Sequence, residues 1–141
     1  MRYMIQVRAT PESEAELTPA PDPELMRTMI EYHRRLAEAG VLLDAAGLRP
    51  SRDGFRVDHA PGAAPRVIDG PFAETKELIA GYTLIQVRSH DEALEWARRF
   101  PAPFGPDKPG VVEVRRLYEM DDFPPLEGDE SMRELPGGGA G

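Results

Sequence analysis

The 141-residue sequence has no cysteine, which removes disulfides, thiolate metal ligands and cysteine nucleophiles from consideration. Its three histidines, His33, His59 and His90, lie far apart along the chain, so no metal site is expected. Gly-rich phosphate loops, HExxH and GxSxG are all missing, so no reaction class is favoured and no cofactor is expected. No apolar run approaches the roughly 20 residues of a membrane-spanning helix. The opening MRYMIQVRAT carries charges where a secretion signal would be apolar. These absences lead to the expectation of a soluble, cytoplasmic protein that avoids membranes. Lysine is scarce too: 15 of the 17 basic residues are arginine, a bias that GC-rich coding produces without selection for any ligand.

The formal charge of −8 is unevenly placed. Residues 119–141 hold seven acidic groups against the single Arg133, whereas residues 1–118 carry 18 acidic and 16 basic side chains. The body is therefore nearly neutral and lacks the basic stripe of a nucleic-acid binder. One domain is expected over residues 1–123, followed by an acidic, Gly/Pro-rich tail over 124–141 that is poor in core residues.

Along the body, Tyr3, Ile5 and Val7 alternate with Met4, Gln6 and Arg8, the period of a strand with one buried face. A Pro- and Glu-rich loop over 11–21 leads to Asp22 and Pro23, an N-cap and a first helical residue. Leu25, Met29 and Leu36 then recur at helical spacing until Gly40. Residues 41–48 read as a short strand, and residues 50–77 as an insert whose FRVDHA and PRVIDG segments form a hairpin. A strong strand signal runs over 78–88. Ser89 and Glu92 then form a capping box for a second helix that turns Ala93, Leu94, Ala97 and Phe100 inward, with Trp96 at the edge. Pro101 and Pro103 stop that helix, and residues 111–118 supply a last strand.

Strand-helix-strand, hairpin insert, strand-helix-strand is the pattern of an α+β, ferredoxin-like split βαβ sandwich. Two helices cover one sheet face. The other presents Met4, Gln6, Arg8, Tyr82, Leu84, Gln86, Glu113 and Arg115, half apolar and half polar. Such a face calls for a second subunit, so a homodimer enclosing a cleft is expected.

The run VIDGPFAETKELIAGY, with the preceding AGVLLDAAGLRPS and the following DEALEWARRFP, closely resembles the DGPF branch of the YCII-related family from Met1 to about Phe123. The resemblance implies a dimeric α+β barrel of ferredoxin-like subunits, with a biochemical role that is largely unassigned in the family. It also raises a sigma factor of the extracytoplasmic-function type as a partner, because such genes neighbour many members. Shorter YCII proteins carry a helix-one histidine and an Asp-Pro after helix two, proposed as an acid/base pair. Aligned on Gly40 to Leu43, those groups fall on Met29 and on Phe100-Pro101, so this chain has neither.

Several residues carry two readings. His33, one helical turn after Met29, reads as a general base oriented by Asp44, or as a half-buried histidine satisfied by a backbone carbonyl. Asp69 of Asp-Gly-Pro-Phe reads as a cleft carboxylate or as a turn residue, with Phe72 filling apolar space beneath the turn. The run Glu74 to Glu77 reads as a polar clamp or a solvated loop. Arg8, Tyr82, Gln86 and Arg115 read as donors around a small-molecule site, or as pairs across a dimer interface. The functional expectation is a small-molecule binder or a cofactor-free enzyme that uses a cleft at the dimer interface. The alternative is a regulatory module that engages a protein through its acidic tail.

Overall fold

A computed structural model describes residues 1–15 and 22–125. Residues 16–21 and nearly all of the acidic tail, with the partner reading attached to it, lie outside the described residues. Among the described residues, six strands and three α-helices follow one another as β1 (Arg2–Arg8), α1 (Pro11–Glu14), α2 (Pro23–Glu38), β2 (Leu42–Gly47), β3 (Phe55–Asp58), β4 (Arg66–Asp69), β5 (Ile79–Gln86), α3 (His90–Arg98) and β6 (Val112–Arg116). Among the described residues no helix is long and apolar enough to cross a membrane.

Local chemistry explains the boundaries. The Asp22 carboxylate accepts from the Glu24 amide, Pro23 takes the first helical position, and Gly40 leaves α2 with φ +75°, where a side chain is disfavoured. The Ser89 hydroxyl accepts from the Glu92 amide at 3.1 Å, while the Glu92 carboxylate reaches past the cap to the Arg88 amide at 3.0 Å. The segment expected as an uninterrupted loop opens instead with one helical turn, α1, because Thr10 and Ser13 cap each other reciprocally.

The main sheet has the order β2-β5-β1-β6 with every neighbouring pair antiparallel, and β3-β4 form a separate two-stranded sheet. This is an α+β arrangement compatible with a ferredoxin-like sandwich. Register assigns the faces: Tyr3 lies opposite Ile85, Ile5 opposite both Thr83 and Val114, and Val7 opposite both Gly81 and Val112. On this face Tyr3, Ile5, Ile85 and Val87 meet Tyr32 and Leu36 of α2 and Ala93 of α3. Ile5, Leu36 and Ile85 have no solvent exposure. Burying each of the three stabilises the fold by about 1.5–3 kcal/mol.

One inward assignment changes. Leu94 is 42% exposed, whereas Trp96 packs against the core. The inner face of α3 is centred on Ala93, and residues 96, 97 and 100 continue it at three to four residue spacing, which turns position 94 away. Tyr32, unremarked in the sequence, is a core residue whose hydroxyl donates to the Trp96 carbonyl at 2.6 Å, tying α2 to α3. Burial pushes its phenol well above the ordinary tyrosine range, against a smaller opposing effect of Arg99. At the far end of the sheet Arg2 holds Glu119 through two bonds of 3.0 and 3.1 Å, which lowers the Glu119 carboxyl below its usual range.

The Asp-Gly-Pro-Phe segment turns the chain out of β4 through a cis Gly70-Pro71 bond. Gly70 lies against the turn Ser51–Asp53: a methyl group there would stand 1.8 Å from the Ser51 carbonyl oxygen. The Phe72 amide donates to the Ser51 hydroxyl at 3.0 Å, and that hydroxyl donates in turn to Glu14 of α1. The half-buried Phe72 ring is covered by the Arg56 guanidinium, 3.8 Å from its centroid. Gly70→Ala cannot be accommodated without moving main chain, so it should cost about 2 kcal/mol or more of unfolding free energy. Urea denaturation checks this; unchanged stability would remove Gly70 as a packing constraint.

Candidate functional site

Beside α2 the helix face of the sheet runs out of large side chains. After Ile5, Thr83 and Ala45, the next residues across that face are Val7, Gly81 and Gly47. The two glycines leave a floor of backbone, and over it opens a cleft of about 540 Å³. Met26, Met29 and Ile30 of α2 form one wall, and Phe100, Pro103 and Phe104 form another. Ile30 is 61% exposed and Met26 44%, so two large apolar side chains rim the mouth.

His33 projects from α2 into this cleft with both ring nitrogens engaged. Nδ1 lies 2.8 Å from the Met29 carbonyl, one turn back on the same helix, and Nε2 lies 2.8 Å from Thr83 Oγ1 on β5. A carbonyl only accepts, so in the neutral ring Nδ1 carries the proton and Nε2 accepts from the Thr83 hydroxyl. Edge-to-face contacts with Tyr32 at 5.4 Å and Phe100 at 6.1 Å hold the ring plane. Thr83 is 2% exposed, and its donor is occupied by His33 while its oxygen retains acceptor capacity.

The carboxylate expected to orient His33 is elsewhere. Asp44 accepts from the Tyr82 hydroxyl at 3.0 Å, on the opposite side of the sheet. A bulge between Leu42 and Asp44 causes this: Leu42 lies opposite Ile85 on the helix face, while Asp44 lies opposite Leu84 on the open one. The hydrogen bond to Asp44, aided by that carboxylate's charge, raises the Tyr82 phenol above its ordinary value. Carbonyl satisfaction of His33 is present, through Met29; the added Thr83 contact was legible, since Thr83 shares strand parity with Ile85 and Val87.

The four donors expected around one site do not converge. Arg8 donates to the Lys76 carbonyl, Arg115 stands 3.8 Å from Glu113 on its own strand, and Tyr82 is engaged by Asp44. Gln86 lies opposite Arg2 at the other end of the sheet from Arg8. Asp69 is exposed at the end of β4, opposite Phe55, away from the cleft. Among the described residues no group of three or more His, Cys, Asp or Glu side chains is placed to hold a metal ion.

The site is thus an apolar recess on the helix side of an antiparallel α+β sheet, with one imidazole in its wall. The chain belongs to the YCII-related family: the YCII-related domain matches residues 1–121. An uncharacterized protein of Rhizobium meliloti (strain 1021) is 43% identical over 105 residues, which cover 73% of this chain and 82% of that relative.

The Tyr82–Asp44 pair generates a pH prediction. The folded-state phenol is raised, so any stability it contributes is complete below the unfolded value, about 10, and is lost as pH rises through the folded one. Spectrophotometric titration of the tyrosines should show one phenol moving back towards the ordinary value in Asp44→Asn. An unchanged titration would dissociate the two side chains in solution.

Proposed function

We propose that this protein binds a small molecule in the His33 cleft and acts as a homodimer, either as a carrier of that ligand or as an enzyme without a cofactor. The observation that carries the reading is the cleft itself: an apolar recess of about 540 Å³ with a single oriented imidazole in its wall. Ligand sites generally combine a mainly apolar lining with a few placed polar groups. Two further points support the location. Met29 and Phe100, onto which the acid/base pair of shorter YCII proteins aligns, both line the same cleft. His33 supplies an imidazole between them, with Thr83 in place of a carboxylate partner. The run from Asp69 to Tyr82 supports placement in the DGPF branch.

Dimerisation is proposed through the open sheet face, where Met4, Tyr82 and Leu84 are only partly covered and no helix of the described residues packs. A second copy that buries about 800 Å² per partner would complete a barrel of two sheets. This cleft lies on the helix side and not at the interface where one was expected; Tyr82 borders both, so ligand binding is tested at His33 and assembly at Leu84.

Thermal-shift screening of small metabolites should find compounds that raise the Tm of the wild type and not that of His33→Leu, since a ligand stabilises the state it binds. A screen in which every hit stabilises both proteins equally would overturn the cleft. Light scattering after size exclusion should give twice the monomer mass of 15.6 kDa for the wild type. Leu84→Arg, which sets like charges facing each other across the axis, should weaken that association at least tenfold. A wild-type monomer at micromolar concentration would overturn the assembly.

A further inference from the structure

The geometry points to a ligand class for the His33 cleft: a small, flat, uncharged ring that carries one hydrogen-bond donor, received by Thr83, with Gly47 setting the depth available to it. This inference rests on the cleft being a ligand site, as proposed above.

Charge is excluded by the lining. Among the described residues that line the cleft none is Asp, Glu, Lys or Arg. A charged ligand would leave water for apolar walls whose one imidazole has both nitrogens already engaged by Met29 and Thr83, at a cost of several kcal/mol. The polarity of the single hydrogen bond follows from the fixed tautomer. In the neutral ring Met29 takes the Nδ1 proton and Thr83 donates to Nε2, which leaves lone pairs on Thr83 Oγ1 as the acceptor. The matching ligand group is an O–H or N–H.

Flatness follows from the floor and the walls. Gly47 and Gly81 lie directly opposite one another on adjacent strands, so the floor is backbone without side chains. Phe100, Phe104, Met26 and Met29 stand around it, surfaces that suit the face and edge of a ring. The two glycines differ in freedom. A methyl group at Gly81 would meet the Ala46 carbonyl oxygen at 3.0 Å, so this glycine is needed for packing between the strands. A methyl group at Gly47 meets nothing within 4 Å, and the backbone there has no positive φ. The empty space above Gly47 is therefore not required by the fold and is available to a ligand.

Titration of the ¹⁵N-labelled full chain with p-fluorophenol, followed by amide shifts, tests this. The probe is flat, neutral near pH 7 and carries one donor. The expected result is saturable shifts at Gly47, Gly81 and Thr83. Binding should be at least tenfold weaker for p-fluoroanisole, which lacks the donor, for the charged p-fluorobenzoate and for the flexible n-hexanol. Gly47→Val should weaken p-fluorophenol binding at least tenfold while its spectrum stays dispersed; should that variant fail to fold, Gly47→Ala should show a smaller loss in the same direction. If another of the probes binds these residues as tightly, or if both Gly47 variants bind p-fluorophenol unchanged, the ligand class is overturned and the cleft survives. If no probe shifts these residues in the wild type, the ligand class is overturned, and the cleft reading stands or falls on the metabolite screen.

Discussion

The pairing of β1 with β5 is the constraint from which the rest of the molecule follows. It sets Ile5 and Ile85 on one face, where Leu36 of α2 closes over them, and these three side chains are wholly removed from water. Everything else is hung on that pair. β2 attaches to the free side of β5 and β6 to the free side of β1. Towards the Val7 end the residues shrink to glycine and alanine, α2 still passes overhead, and the gap becomes the cleft. The recess is thus a by-product of a core that is well filled at one end of the sheet and bare at the other.

Much of this was legible in the sequence because it is written in local chemistry. Strand alternation identified the helix face of β1 and β5, and Asp22-Pro23 and Ser89 marked the helix starts. The hairpin insert announced itself by its Gly/Pro punctuation. What local patterns could not supply was the phase of short elements and the partner across a tertiary gap. The nine residues of α3 constrain its rotation weakly, and with Ala93 innermost Leu94 is turned to solvent. Asp44 is the sharper case. Counted from Leu42 at strand period it belongs beside His33, but one extra residue in the β2 ladder turns it to the other face.

The Asp-Gly-Pro-Phe motif, the most conspicuous stretch in the sequence, does its work through backbone rather than through the Asp69 carboxylate. Gly70 allows the chain to press on the Ser51 carbonyl, Phe72 lends an amide to the Ser51 hydroxyl, and Glu14 gathers that serine from the far side. Three segments distant in sequence meet there around one hydroxyl, and the hairpin is anchored by it. The chemistry-bearing side chain, His33, lies outside the motif and takes its orientation from its own helix and from β5.

Tyr82 and Thr83 are successive residues of β5, yet one engages Asp44 on the open face and the other engages His33 in the cleft. A strand that serves as a common wall cannot be lengthened or shortened by one residue without exchanging the side chains of its two faces. An insertion or deletion in this stretch therefore disturbs both faces at once, whereas a substitution disturbs one. Variation in length is left to the loop between β3 and β4 and to the connections outside the four-stranded sheet, so the spacing from His33 to Thr83 changes only where a loop absorbs it.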